Sequence, residues 1–189
     1  IKNPAKRNLE KYEGFCRKEI LDTWEGKSNF GTYGHRTIQL FYESFELGEY
    51  DRMTLSQKSE RLFGIRGKDG IPVEYHNALR QFLDLDRKLA LEGWKIFRTE
   101  WNVFNPLYNL AGGIDAVFSR ENPDTNVIEY NVVDWKFTDK YLRFWNKSEY
   151  LYYPLDSITN TRLNCYGLQT NLYGFILRDQ EAGYNLNVT

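Results

Sequence analysis

AGGIDAVFSRENPDTNVIEYNVVDWKFT, residues 111–138, is the stretch that decides the fold. Two apolar runs, Ala111–Ser119 and Val127–Thr138, flank a polar gap, Arg120–Asn126, which holds Asn122, Pro123, Asp124 and Asn126. Apolar runs separated by turn formers predict two strands joined by a hairpin loop. A carboxylate interrupts each run, at Asp115 and at Asp134. Successive side chains of a strand alternate faces, so Asp134 and Lys136 point one way and Trp135 the other. A carboxylate inside an apolar strand is costly unless it gains a partner, which for Asp115 means Lys136, an arginine or a cation. The hairpin sets Asp115 beside Asp134. Two adjacent carboxylates repel, and a divalent cation is their natural neutraliser.

Outward from the hairpin, Trp94–Phe104 reads as a strand that carries Glu100. Leu163–Leu177 returns to helical spacing through Leu168, Leu172, Tyr173 and Ile176, and a last strand is expected near Asn185. Upstream, residues 5–25 are helical, with Leu9, Tyr12, Phe15, Ile20, Leu21 and Trp24 as the apolar positions. Gly26–Gly31 reads as a loop, Tyr33–Leu47 as a helix closed by Gly48, residues 48–73 as a loop with room for a short helix, and Val73–Leu91 as a strongly amphipathic helix. Helices, three strands, a helix and a strand make an α/β fold, a small mixed β-sheet flanked by helices. The expected organisation is one domain over 1–189, with 1–30 as an N-terminal helical extension, cut from a longer parent protein whose other domains are its first partners.

Composition limits the function. The chain has 189 residues, 41% hydrophobic and 27% charged, which is ordinary for a globular domain. Lys and Arg total 25 against 26 Asp and Glu, a net charge of -1, which excludes a strongly basic nucleic-acid binder. A nucleic-acid partner would need a local basic patch or a bound metal. Cys16 and Cys165 read as reduced thiols, and two thiolates are too few for an iron–sulfur cluster. No run of about 18 apolar residues and no signal peptide is present, so an intracellular protein without a membrane partner is expected.

An acid two residues before a lysine is a weak signal by itself, and it occurs three times. Glu25-Gly26-Lys27 falls in the expected loop. Asp86-Arg87-Lys88 falls on a helix, where positions i and i+2 diverge by about 200°. Only Asp134-Trp135-Lys136 falls on a strand. His35 stands at an expected helix start, His76 looks unremarkable, Glu100 lies on the strand beside the hairpin, and Gln169 and Tyr173 share a helical face.

As a set, His35, Glu100, Gly112-x-x-Asp115, Asp134-x-Lys136 and Gln169-x-x-x-Tyr173 resemble the RecB-like branch of the PD-(D/E)XK nuclease superfamily, over about residues 31–177. The segment Asn164–Gly174 is similar to viral and phage members. The resemblance implies a restriction-endonuclease-like core and Mg²⁺- or Mn²⁺-dependent hydrolysis of DNA, with viral or phage-like replication or recombination as the setting, in the cytoplasm or nucleus of a host cell. It implies metal ligation by His35, Asp115 and Asp134 with the Val133 carbonyl, catalysis by Lys136, and a weaker part for Glu100. Gln169 and Tyr173 would orient the DNA backbone or the lysine. The cysteines that hold an iron–sulfur cluster in some relatives are missing. Lys140, Arg143, Lys147 and Arg162 form a candidate basic strip for nucleic acid, with Tyr173 also in contact. Trp135, Trp145, Tyr150, Tyr152 and Tyr153 are candidates to stack on bases. The competing readings are an RNA endonuclease of the cap-snatching type and an inactive nucleic-acid-binding module.

Overall fold

A computed structural model describes residues 17–46, 48–137 and 149–189. The expected helical positions Leu9, Tyr12 and Phe15, and Cys16, Lys140, Arg143, Trp145 and Lys147, lie outside the described residues.

Helix α1 runs Arg17–Glu43 without a break. The loop expected at Gly26–Gly31 is therefore helical, and His35 stands in mid-helix instead of at a helix start. A glycine costs a helix up to about 1 kcal/mol relative to alanine, which tertiary packing can override. Here Phe30 stacks on Tyr75 with ring centroids 4.5 Å apart, and Phe41 meets Phe82 edge-on at 5.6 Å, so the face continues across the glycines. Gly34 is required for another reason: a Cβ there would collide with the ring of Phe137.

The expected loop over 48–73 is mostly ordered structure. Gly48, at φ 75°, precedes the short helix α2 (Glu49–Arg52) instead of closing α1. Helix α3 (Leu55–Gly64) opens with a capping box in which Thr54 and Gln57 satisfy each other's backbone N–H groups. A 3₁₀ turn follows at Gly67–Asp69. Helix α4 (Val73–Leu91) buries Tyr75, Leu79, Phe82, Leu83, Asp86 and Leu89.

Strands β1 (Lys95–Asn105), β2 (Leu110–Glu121) and β3 (Ile128–Val133) form a sheet in the order β1-β2-β3, antiparallel throughout. The expected mixed sheet is thus reduced, among the described residues, to one parallel bridge between Tyr130 and Val188. Positive φ at Gly183 (84°) and Asn185 (50°) breaks the extended run that a fourth strand would need. Helix α5 (Arg162–Arg178) is capped by Thr161, whose hydroxyl accepts from the Asn164 N–H at 3.2 Å.

The sheet separates two cores. One joins α1, α3 and α4 to Trp94, Ala116, Phe118 and Trp135. The other joins α5 to Val103, Ile114, Val117 and Val188. On a regular strand Ile114 and Ala116 would share a face. They belong to opposite cores, so β2 changes face at Asp115.

Candidate functional site

The face change has a counterpart across the ladder. Thr99 pairs with Ala116 and Trp101 with Ile114, which sets Glu100 opposite Asp115. Glu100 has φ 46°, a left-handed conformation that a side chain bearing a Cβ adopts only at a cost. Such outliers concentrate where function requires a particular side-chain direction.

The result is a convergence of three elements. One ligand atom each from His35 on α1, Glu100 on β1 and Asp115 on β2 lies within 4.8 Å of the others. His35 Nδ1 is 3.3 Å from Asp115 Oδ1. The other Asp115 oxygen accepts from the Trp135 backbone N–H at 2.6 Å. This bond explains why the ladder stops at Val133: a side-chain carboxylate takes the N–H that a backbone carbonyl would have taken. Asp134 and Lys136 therefore lie just past β3, in a segment without ladder bonds. Their expected alternation survives. Asp134 Oδ2 pairs with the Lys136 ammonium, while Trp135 turns into the core and meets Phe82 edge-on at 5.3 Å. Trp135 is thus removed from the stacking candidates. Asp115, for its part, is partnered by His35 and a backbone N–H.

The electrostatics follow from this crowding. Hydrogen bonding to Asp115 raises the His35 pKa, and the charges of Asp115, Glu100 and Asp134 add to it against the effect of burial. Burial raises Glu100, and the neighbouring Asp115 charge raises it further. Burial is also the largest influence on Asp134, and it outweighs the pairing with Lys136. Three carboxylates face one ammonium and one imidazole, so the cluster favours an added cation. The donor set, carboxylate oxygens and one imidazole nitrogen, suits Mg²⁺ or Mn²⁺, the histidine favouring Mn²⁺.

Helix α5 closes the site differently from what Gln169 and Tyr173 suggest. Gln169 Nε2 donates to Tyr173 Oη at 2.8 Å, and the Tyr173 ring is buried against Gly112, where any Cβ would overlap it. The glycine of Gly-x-x-Asp is thus a docking point for α5. The α5 side chain against Lys136 is Tyr166, whose ring centroid lies 4.8 Å from the ammonium. Tyr166 lies in the Asn164–Gly174 segment but is not among the expected site residues, although its spacing to Gln169 and Tyr173, i, i+3 and i+7, is the signal that would have found it. Arg162 opens α5 and is exposed. Tyr150, Tyr152 and Tyr153 are exposed ahead of α5, while His76 is a half-buried histidine that contacts the Ile71 carbonyl at 2.8 Å. Cys165 is free and exposed. Among the described residues no helix is long and apolar enough to cross a membrane.

No family model matches the chain, and neither the curated proteins nor the solved structures contain a match to it.

Proposed function

We propose that this chain is a metal-dependent nuclease of the RecB-like PD-(D/E)XK type, built on a restriction-endonuclease-like core and hydrolysing phosphodiester bonds of DNA. The observation that carries the reading is the convergence of His35, Glu100 and Asp115 from three separate elements, with Asp134 and Lys136 alongside. A surface cluster of acids would not require a left-handed glutamate and a strand that changes face to assemble it.

His35, Glu100 and Asp115 would hold Mg²⁺ or Mn²⁺, with Asp134 and the Val133 carbonyl beside them. Such an ion lowers the pKa of a bound water and offsets charge on the scissile phosphate. The remaining work belongs to the chain. Lys136 supplies a positive charge next to the acids, where it can orient the attacking water and stabilise the phosphorane-like transition state. Asp115 fixes the imidazole of His35 and the turn at Trp135 at once, so the ligands enter the reaction preorganised. Arg162 stands near Tyr166 in sequence, where it would meet the backbone of the polyanion.

The test is incubation of the purified protein with end-labelled single-stranded DNA, duplex DNA and RNA in Mg²⁺, Mn²⁺ or EDTA. The expected result is metal-dependent cleavage of DNA that Lys136→Ala removes. Cleavage of RNA alone would transfer the reading to the cap-snatching type. Absence of cleavage on every substrate, with no heat of Mn²⁺ binding, would leave the inactive module.

A further inference from the structure

We infer that Tyr166 is the positioning residue for Lys136. Its consequence for cleavage rests on the nuclease reading, whereas the contact itself rests on geometry alone.

Lys136 follows the last ladder residue of β3, so no backbone pairing restrains its flexible four-carbon stem. Among the described residues two groups hold its ammonium: the Asp134 carboxylate and the face of the Tyr166 ring, whose centroid is 4.8 Å away. The two holds differ in kind. The carboxylate is one of the acids that a divalent cation would claim, so an ion arriving at Asp134 weakens the pairing with the lysine. The ring attracts the ammonium through its quadrupole and uses none of the carboxylate oxygens. A lysine held by Asp134 alone would be freed when the cation arrived. With Tyr166 it keeps its place beside the reacting phosphate.

Tyr166 is itself braced. Asn164 Nδ2 donates to the Thr159 carbonyl at 2.8 Å, and Thr170 Oγ1 donates to the Tyr166 carbonyl at 3.2 Å. Two turns further on, Tyr173 is seated against Gly112. The helix that carries Tyr166 is thus tied to the strand of Asp115 through Tyr173 and to the turn ahead of it through Asn164. Gln169 and Tyr173 serve this brace, and Tyr166 serves the lysine.

Tyr166→Leu and Tyr166→Phe test the inference with two readouts. The first is the rate at which an N-hydroxysuccinimide ester acylates Lys136 in metal-free protein, read by peptide mass. The second is kcat and KM for DNA cleavage in Mn²⁺. Thermal melting establishes that each variant is folded. Tyr166→Leu should raise acylation by about two- to thirtyfold. It should lower kcat by about ten- to a hundredfold, with KM nearly unchanged. Tyr166→Phe, which keeps the ring, should restore both. Unchanged acylation in Tyr166→Leu, or a phenylalanine that restores neither readout, would overturn the inference. Acylation that responds as expected in a protein that cleaves no substrate would leave the lysine contact standing and remove the nuclease reading.

Discussion

Two clusters in this chain are centred on aspartates, and they are built on opposite plans. Around Asp86, on α4, the carboxylate is almost fully buried and alone. The hydroxyl of Tyr42 donates to Asp86 Oδ1 at 2.7 Å, Tyr50 donates to the same oxygen, and the ammonium of Lys58 lies 3.3 Å from the centroid of the Tyr50 ring. Burial pushes the Tyr42 and Tyr50 hydroxyls up and the Lys58 ammonium down, with Asp86 raising all three. Neutral donors satisfy one oxygen of that carboxylate and one cation lies nearby, while Oδ2 is buried without a hydrogen bond among the described residues. Around Asp115 the carboxylates of Glu100 and Asp134 crowd a partly exposed cluster with too few cations to match them. The first carboxylate is surrounded by neutral donors and a cation, and the second by like charges. An acid two residues before a lysine introduces both, so the motif alone says nothing. The number of like charges, and their access to solvent, separates structure from chemistry.

Substitutions should therefore act with opposite signs in the two places. The largest effect expected is Asp134→Asn, which should lower cleavage by about 10²–10³-fold. It should leave the melting temperature of metal-free protein equal or higher, since the raised pKa of Asp134 means that its ionised form is penalised in the fold. A melting temperature that falls by several degrees would break the contrast. Asp86→Ala should do the reverse. Two tyrosine hydroxyls lose their acceptor, so unfolding free energy should fall by about 1–3 kcal/mol in urea titrations, while kcat of the folded protein is unchanged. A large loss of kcat there would mean that the two regions are not independent.

Gly112→Ala tests how the two sides of the sheet communicate. It forces the Tyr173 ring away from β2, at an overpacking cost of about 1–3 kcal/mol by urea titration. Activity should fall with stability.

The smallest effect is on pH dependence. The folded pKa of His35 is raised, so its contribution to stability is present in full below the unfolded value of 6.5 and lost as pH rises through the folded value. Glu100 and Asp134 are also raised, so each favours its protonated form, and their contributions are likewise lost as pH rises through the range above the usual carboxylate values. All three act in one direction. Metal-free protein should melt at a lower temperature at pH 8 than at pH 6, and His35→Ala should flatten the difference. Mn²⁺ needs the neutral imidazole, so the rise in melting temperature on adding it should grow with pH. A rise that is the same at pH 6 and pH 8 would remove His35 from the ligand set.

The chain itself determined the hairpin. Its apolar runs and turn-forming gap set β2 against β3, and with them Asp115 beside Asp134, because antiparallel pairing of adjacent strands is a local consequence of pattern. It also determined α4 and α5, whose observed limits, Val73–Leu91 and Arg162–Arg178, differ from the periodic segments by at most one residue. Residues 48–73 read as loop because glycines and charges obscure the short apolar face of α3. Only the tertiary structure decided the rest. Phe30 and Phe41, packed on α4, carried α1 through its glycines and placed His35 over Asp115. The Asp115 carboxylate ended β3 early by taking the Trp135 N–H. The left-handed Glu100 turned its carboxylate toward the cluster, and the seating of Tyr173 on Gly112 brought Tyr166 to Lys136. Each of these joins residues from different elements, and the free energy that selects it exists only once those elements have packed, so no window of sequence contains it.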